Sequence, residues 1–369
     1  MKIKNLCSYA PKSKIKAGEA VENAKYLFFT SSTDENKRYT DFQFDKEAII
    51  MGTGGNATLH YYNGKFSVST DCLVLLPNSK IKCKYLYYFF KSHMSVLEAG
   101  FKGAGLKHTN KKYIEEININ EVPDLTTQEK IISHLDTISD NIEKLNRELE
   151  LFDSLTKARF VEMFGDPQIN EKGFIKAPMG EYLSLLTDFS SNGSYKTLDS
   201  GVVMYDEPNY AWMVRTTDLE SGDMSSIKYI DEKAYELLSK SKIFGGEIIM
   251  NKIGSAGKIY IIPKLTMPAS LGRNAFMFRY DERINNIFMY YLLTSDYGQR
   301  EIQQYVRGAV TKTITKDDAR AVLIIVPPLE LQQQFADFVQ QVDKSKLAVQ
   351  KSLDKTQQLF DSLMQEYFG

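Results

Sequence analysis

The clearest hydrophobic pattern in the chain lies in residues 125–165. Apolar residues recur there alternately four and three positions apart, with mostly charged or polar residues between them, at Ile131, Leu135, Ile138, Ile142, Leu145, Leu149 and Phe152. This spacing places an apolar seam along a helix, and such a seam is buried best against a second helix. Thr126 and Glu129 fit a capping box, and Gly165 fits a left-handed cap. The pattern predicts one long helix over residues 125–165.

A weaker copy of this pattern ends the chain. Residues at the beginning and end of the first segment recur 204 positions later, so that Leu125, Gln128 and Phe164 correspond to Leu329, Gln332 and Phe368. At this offset the seam becomes Phe335, Val339, Val342, Lys346, Val349, Leu353 and Thr356, of which two are polar. The sequence LFDSL at 151–155 returns at 359–363, an offset larger by four residues, or about one helical turn. We infer a duplicated helix and expect the apolar residues of the two seams to pair.

The segments before each helix contain short apolar runs that indicate strands. In the first segment they cover residues 48–51, 58–62, 65–69 and 72–76, and Asn63 with Gly64 predicts a tight hairpin turn between two of them. In the second segment, strands are expected at 246–250 and 258–262.

Two kinds of loop are also duplicated. A glycine-rich loop at 52–56 corresponds to residues 251–258, and a basic loop at 103–112 corresponds to residues 308–313. A bend between strands would also explain the first kind of loop, and ordinary solvation would explain the second. The duplication therefore extends through both globular segments, and loop contacts with nucleic acid remain one of two interpretations.

The repeat divides the chain into four parts. Residues 1–122 and 166–326 are the predicted globular domains, and residues 123–165 and 327–369 are the predicted helices. The second globular segment has 161 residues against 122, with the surplus near 190–230. Within this surplus, Trp212 is expected in the core and Arg215 in contact with a partner.

Composition limits the function. The 369-residue chain has a net charge of −1, although residues 1–124 carry 18 Lys and Arg against 13 Asp and Glu. A DNA-binding surface must therefore be a local basic face, with a partner supplying many phosphate contacts. The three cysteines lack CxxC spacing, which argues against a zinc site. With no membrane span and no signal peptide in the sequence, we expect a cytoplasmic location.

Catalytic motifs are weak or incomplete. Gly257 and Lys258 suggest a phosphate-binding loop, but Lys252 and Ile259 occupy positions that require Gly and Ser or Thr. Residues 206–210 (DEPNY) resemble an adenine-methyltransferase tetrad but lack its Pro-Pro pair. The four histidines are scattered along the chain. These features favour a non-catalytic chain.

The helical segments resemble a known family. The sequence LFDSLTKARFVEMFGDP at 151–167, together with the helix entries at 122–128 and 326–332, resembles the helical spacers of type I restriction-modification specificity (S) subunits. The resemblance covers nearly the whole chain. It implies an α+β fold with two pseudo-repeated mixed α/β target recognition domains, separated by two long antiparallel coiled-coil helices of about 60 Å each.

The resemblance also implies a function. S subunits read bipartite double-stranded DNA sites, bind two methyltransferase (M) subunits through their helices, and assemble with nuclease/translocase (R) subunits in phage defence. They have no catalytic residues or metal site of their own. Adenine N6 methylation would use S-adenosylmethionine in M, whereas ATP and Mg would serve R.

Candidate DNA contacts are polar and basic residues of the duplicated loops and of the surplus segment. Lys and Arg suit phosphates, and some of these side chains also suit base edges. The candidates are Lys65, Ser69, Lys102, Lys107, His108, Thr109, Lys111, Lys196, Arg215, Lys252, Ser255, Lys258, Arg273, Asn274, Arg307 and Lys312.

Two other classes of protein are alternatives. A fused methyltransferase-specificity enzyme would be expected to carry a catalytic domain before the first globular unit, but that predicted unit already begins at Met1 in this sequence. A coiled-coil scaffold or adaptor, without sequence-specific DNA reading, would explain the seams. It would leave the duplicated lysine-containing loops without a role.

Overall fold

The computed structural model describes all 369 residues, which divide into two compact units. The first unit comprises Met1–Glu148 with Val349–Gly369, and the second comprises Leu149–Ala348. Two helices of 40 residues, Leu125–Phe164 and Leu329–Phe368, each contribute one part to each unit. The predicted fold class, with two mixed α/β domains and two long helices, is confirmed. The predicted boundaries at 122, 165 and 326 stay predictions.

The first unit contains one six-stranded sheet in the order β1-β6-β4-β5-β2-β3. Its strands are β1 (Cys7–Tyr9), β2 (Tyr26–Phe29), β3 (Arg38–Tyr39), β4 (Phe44–Gly52), β5 (Leu59–Val68) and β6 (Cys72–Pro77). Its helices are α1 (Cys83–Ser92), α2 (Met94–Ala99), α3 (Lys111–Glu116) and the first part of α4 (Leu125–Phe164). The sheet is antiparallel except that β2 runs parallel to β5.

The predicted hairpin at Asn63 and Gly64 is wrong. Both residues lie inside β5, opposite Glu47 and Lys46 of β4. The continuous antiparallel pairing of β4 with β5 outweighs the local turn preference, since Gly64 takes its positive φ of 145° within the strand. The turn between these strands instead uses the glycine-rich loop that begins after Gly52.

The second unit has more and shorter elements. Its strands are β7 (Ile175–Pro178), β8 (Leu183–Asp188), β9 (Ala211–Val214), β10 (Lys228–Ile230), β11 (Lys242–Ile243), β12 (Ile248–Asn251), β13 (Ile259–Ile261), β14 (Ala269–Leu271), β15 (Ala275–Tyr280) and β16 (Leu323–Val326). Its helices are α5 (Tyr195–Gly201), α6 (Thr216–Ser221), α7 (Glu232–Leu237), α8 (Asn286–Thr294), α9 (Asp296–Gln303), α10 (Lys316–Ala321) and the first part of α11 (Leu329–Phe368).

These strands form three sheets, in the orders β13-β12-β15-β8, β10-β9-β14-β11 and β16-β7. The surplus segment predicted near 190–230 supplies α5, β9, α6 and β10. Trp212 of β9 is 2% exposed and packs in a core with Val214 and Leu271, which confirms its predicted burial.

Each unit contains the beginning of one long helix and the end of the other. In the first unit, Leu135 of α4 shares a core with Phe360 and Phe368 of α11. In the second unit, Phe164 of α4 lies 5.5 Å from Phe335 of α11, measured between ring centroids. The two helices are therefore antiparallel within each unit. No helix has the length and apolar character needed to cross a membrane.

Burial of the predicted pairing residues varies along the helices. Buried positions are Ile131, Leu135, Phe335, Val339 and Val342, and half-buried positions are Ile138, Ile142, Leu145, Leu149, Phe152, Val349 and Leu353. The seam is thus covered most completely where the helices join the globular parts. The pairing role of the half-buried residues stays a prediction.

The predicted capping box at Thr126 and Glu129 is wrong. The carboxylate of Asp124 instead accepts a hydrogen bond from the Thr127 backbone N–H at 2.9 Å, and Glu129 pairs with Lys82. Asp124 lies one residue before the helix, where its carboxylate reaches a free N–H of the first turn. At the other end, Gly165 has a φ of 72°, in agreement with the predicted left-handed cap.

Two buried glutamines occupy equivalent positions in the long helices. Gln128 and Gln332 are both 0% exposed. The Gln128 amide donates to the carbonyls of Pro123 and Lys80 and accepts from the N–H of Lys82. Its three bonds tie the first turn of α4 to the residues that lead into α1.

Gln332 repeats this arrangement in the second unit. Its amide donates to the carbonyls of Pro327 and Arg283 and accepts from the N–H of Asn285, at 2.8 to 3.1 Å. Asn285 caps α8, as Lys82 precedes α1. Each long helix is therefore fixed to its globular part by the same polar contact.

Replacing Gln332 by Ala should lower the free energy of unfolding of the second unit by about 2 to 4 kcal/mol, because buried backbone groups lose their partners and a cavity opens. Chemical denaturation of the purified chain measures this change. The matched control is Gln334→Ala, since Gln334 is exposed on the same helix; it should change stability by less than about 0.5 kcal/mol. If both substitutions lowered the free energy of unfolding equally, the buried contacts of Gln332 would not be what stabilises the second unit.

Candidate nucleic-acid interface

The glycine-rich loop and the basic loop of the first unit are joined by backbone hydrogen bonds. The Gly55 N–H donates to the Lys107 carbonyl at 2.9 Å, and the Thr109 N–H donates to the Thr53 carbonyl at 3.0 Å. Within the basic loop, Lys102 and His108 exchange two bonds of 3.0 Å. We call residues 53–55 and 102–109 the paired loops of the first unit.

The second unit has the same bonds at equivalent positions. The Gly254 N–H donates to the Lys312 carbonyl at 2.9 Å, and the Ile314 N–H donates to the Lys252 carbonyl at 3.1 Å. Arg307 and Thr313 exchange two bonds of 2.8 and 2.9 Å. Residues 252–254 and 307–314 are the paired loops of the second unit, so the predicted duplication of both loops is confirmed.

One glycine in each basic loop is required by geometry. Gly103 and Gly308 have φ angles of 148° and 109°. A Cβ atom would lie 2.6 Å from the Leu106 carbonyl oxygen at Gly103 and 2.1 Å from the Thr311 carbonyl oxygen at Gly308. These distances are too short for any side chain, so each loop depends on its glycine for its tight bend.

Cations of the paired loops of the first unit are mostly free of carboxylate partners. Lys102 and Lys107 are exposed and form no ion pair, and the His108 side chain beside them is also exposed. Nearby, Lys111 pairs with Glu115 at 3.5 Å. Lys65, on β5, lies 3.9 Å from Asp45. The basic loop of this unit thus presents uncompensated positive charge to solvent.

Cations of the second unit are mostly paired. Arg307 bonds Asp318 at 2.7 Å, and Lys258 bonds Glu220. Counted over residues 166–328, 11 of 19 Lys and Arg form ion pairs, against 6 of 18 in residues 1–124. Lys312 is exposed and unpaired, as its counterpart Lys107 is. The two units therefore share a loop framework but differ in available charge.

A buried carboxylate holds two lysines beside the paired loops of the second unit. Asp188 is 4% exposed and accepts hydrogen bonds of 2.8 Å from the Nζ atoms of Lys252 and Lys316. Burial opposes ionisation of Asp188, but the bonds from Lys252 and Lys316 outweigh this effect and lower its pKa. Sequence reasoning missed Asp188 and Lys316, since they lie far apart along the chain.

Two arginine candidates line a partly open pocket of about 260 Å³ in the second unit. Arg215 forms a 2.5 Å bond to the buried Asp218, so it orders its own helix start. Arg273 bonds Asp199 and lies 4.9 Å above the centre of the Phe189 ring. Asn274, beside it, is exposed, and its carbonyl accepts from the Lys252 N–H.

The remaining candidates are divided by burial. Ser69 is 0% exposed and bonds Asp71, and Thr109 is 8% exposed, so their side chains lie beneath the surface. Ser255 and Lys196 are exposed. The structure brings Lys102, Lys107, His108 and Thr109 together in one unit, and Lys252, Arg307 and Lys312 in the other. Their contact with DNA stays a prediction.

Similarity to known proteins assigns the family. Residues 1–151 and 182–358 match the family described as type I restriction modification DNA specificity domain, so the match includes the paired loops of both units. The chain belongs to the type I restriction-modification DNA specificity family. The family predicted from the helical motifs is therefore confirmed. The function of the chain is that of a type I DNA specificity subunit. The comparisons give no support to the scaffold alternative.

Curated relatives agree with this assignment. The type I restriction enzyme MjaVIII specificity subunit of Methanocaldococcus jannaschii is 24% identical over 341 residues, covering 85% of this chain and 78% of the relative. The EcoDI specificity subunit of Escherichia coli is 23% identical over 386 residues, covering 96% and 84%. The similarity thus extends over most of both proteins.

Solved structures share the fold. The type I restriction-modification system S subunit from M. genitalium matches with a TM-score of 0.66 at 16% identity, covering 100% of this chain and 95% of that one. A chain from a study of complex assembly and conformational transition of the type I R-M system matches with a TM-score of 0.53 at 15% identity, covering 100% and 96%. No group of three or more His, Cys, Asp or Glu side chains is placed to hold a metal ion.

Replacing Asp188 by Ala should destabilise the second unit by about 3 kcal/mol, because two lysines would then face each other without a carboxylate. The matched control is Asp206→Ala, which removes an 83% exposed partner of Lys228 and should change stability by at most about 1 kcal/mol. Urea unfolding of both variants at pH 7 measures the difference.

The same substitution has a predictable pH dependence. The pKa of Asp188 is lower in the folded chain than in the unfolded chain, so its stabilisation is complete above about pH 4 and is lost as the pH falls further. The difference in free energy of unfolding between wild type and Asp188→Ala should therefore become smaller at acid pH. If this difference in free energy stayed constant from pH 7 down to pH 2, Asp188 would not be the ionised partner of the two lysines.

Proposed function

We propose that this specificity subunit reads a split DNA site, with each unit reading one part. The observation that carries the proposal is the recurrence of the paired loops, with the same backbone bonds and an exposed lysine at Lys107 and Lys312. Lysines on loops with a fixed backbone suit phosphate contacts, which set the position of a protein on DNA. Side chains beside them would reach base edges in the major groove.

The bases between the two parts would be unread. Helices α4 and α11 each continue without a break from residues of one unit to residues of the other. We therefore expect the unread gap to have a fixed length. The net charge of −1 supports a further element of the proposal, namely that partner subunits supply part of the phosphate contacts.

The partners in this proposal are two M subunits and the R subunits. The complex would methylate adenine at N6 or cleave DNA, and it would act in the cytoplasm in defence against phage. S-adenosylmethionine would be bound by M, and ATP and Mg by R. This chain would contribute the choice of sequence and the placement of the M subunits, without a catalytic step of its own.

Exposed leucines on the long helices support the assignment of these helices to partner contacts. In the second unit, Leu151, Leu155 and Leu347 are 59%, 48% and 57% exposed. In the first unit, Leu359 is 51% exposed. Leu151 and Leu359 are equivalent in the repeat. Apolar side chains in equivalent exposed positions are expected where a protein partner covers them.

Deleting the gene in the native host should abolish N6-methyladenine at one split motif, because no other subunit would direct M to that sequence. Single-molecule sequencing of wild-type and deletion genomes measures this. Two short specified parts with a constant gap are expected. Restoring the gene on a plasmid is the control and should restore the motif. An unchanged methylation map in a host that expresses the chain would contradict the proposed function.

Replacing Ile142 by Pro should abolish binding of the methyltransferase subunit while both globular parts stay folded. Proline removes a hydrogen bond in the middle of α4 and bends the helix, and Ile142 is half-buried beside α11 in the first unit. Purification of tagged variants from the host, followed by detection of bound methyltransferase, tests this. Ile142→Val keeps the backbone bond and should retain the subunit. A complex of normal yield and activity with Ile142→Pro would refute the prediction.

A further inference from the structure

The two most exposed large apolar side chains of the protein occupy equivalent loops. Val310 is 98% exposed and Leu106 is 77% exposed. Val310 lies in the basic loop of the second unit and Leu106 in that of the first. Single exposed apolar residues are ordinary on protein surfaces. Here, however, the two most exposed ones both lie in the duplicated basic loop, which suggests a common role.

Each side chain lies at the tip of a loop whose base is fixed. In the first unit, the two bonds between Lys102 and His108 close the loop below Leu106, and in the second, Arg307 and Thr313 close it below Val310. Gly103 and Gly308 supply the bend next to these closures. The apolar side chain is therefore presented by a constrained backbone.

The two loops share a framework and differ at the tip. Residues 102–108 read KGAGLKH and residues 307–313 read RGAVTKT, so the cation, Gly, Ala and Lys positions agree. The apolar residue of the first loop, Leu106, aligns with Thr311, whereas Val310 aligns with Gly105. A constant framework with a variable tip is the pattern expected of two loops that read different sequences.

The flanking charges identify the partner as DNA. Leu106 lies between Lys102 and Lys107, and Val310 lies between Arg307 and Lys312. An apolar tip flanked by cations complements a DNA groove, where phosphates line the edges. The thymine 5-methyl group is the apolar group that base pairs present in the major groove. The minor groove presents no such methyl group.

Resting on the proposed function, we propose that Leu106 and Val310 each contact a thymine methyl group in the major groove, one in each part of the split site. These two residues then specify thymine at one position per part, while the unpaired lysines beside them, Lys102, Lys107 and Lys312, bind phosphates. Neither residue is among the DNA-contact candidates named from the sequence, because those candidates are all polar or basic.

The test uses the complex of this chain with its M subunits, purified from the host, and duplexes carrying the motif found by methylation mapping. Replacing one thymine at a time by deoxyuridine removes only the 5-methyl group. At one position in each part, this replacement should weaken binding about fourfold, the effect of one buried methyl group. All other thymines should be insensitive.

Substitution at the tips should remove this sensitivity for one part only. With Val310→Ser, deoxyuridine and thymine should bind equally at the sensitive position in one part, while the other part keeps its fourfold preference. Leu106→Ser should give the reverse. Non-additivity between the substitution in the protein and the loss of the methyl group from the DNA identifies direct contact between the side chain and that methyl group. Val310→Thr, which keeps the shape of the side chain, and thermal unfolding of each variant control for misfolding.

The outcomes separate this inference from the proposed function. A complex that binds and methylates a split motif, but shows no methyl-sensitive thymine coupled to Leu106 or Val310, overturns the inference and leaves the proposed function intact. Tip variants that release the M subunits overturn it as well, because the tips would then be protein contacts. Absence of any motif that depends on the chain overturns both.

Discussion

The attachment of each long helix to its globular part depends on one buried glutamine. Gln128 and Gln332 are completely enclosed. The amide of each bonds one carbonyl just before its own helix, together with one carbonyl and one N–H at the beginning of the neighbouring helix. A side-chain amide is suited to this position because it donates and accepts at once, whereas an apolar side chain would leave three backbone groups unpaired. The direction in which each helix leaves its unit is thereby determined by polar contacts, in addition to the aromatic packing around Phe164 and Phe368.

The paired loops depend on backbone bonds rather than on side chains. Because the Gly55 and Gly254 N–H groups bond the carbonyls of equivalent lysines, the loops keep one geometry in both units while their side chains differ. Glycine is required at Gly103 and Gly308, whereas the tip side chains of Leu106 and Val310 are 77% and 98% exposed, so packing within the chain restricts them little. A loop of this kind can change what it contacts without a change of fold, which is what a DNA specificity subunit requires.

The sequence predicted the features that local periodicity and repetition determine. The seams predicted both long helices to within two residues at each end, and the repeat predicted the correspondence of the loops. The hairpin at Asn63 and Gly64 was wrong because pairing of β4 with β5 overrides a two-residue preference. The contact of Asp188 with Lys252 and Lys316 was beyond prediction, since 64 and 128 residues separate these partners and no local pattern links them. Candidate residues chosen for their charge therefore included Lys252 without its buried counterion.

The difference in ion pairing between the units has a consequence for the DNA contacts proposed for each unit. In the proposed complex, a phosphate would meet Lys102 and Lys107 of the first unit with no carboxylate to displace. These contacts would add affinity that depends strongly on salt and little on sequence. In the second unit, Arg273 and Arg307 are already held by Asp199 and Asp318. A phosphate would gain less there, because it would replace an existing partner. The carboxylates would instead favour one orientation of each guanidinium, and an oriented fork of donors discriminates between base edges better than a mobile one. On the proposed contacts, charge pairing would thus favour affinity in the first unit and discrimination in the second, although both units share the same loop framework.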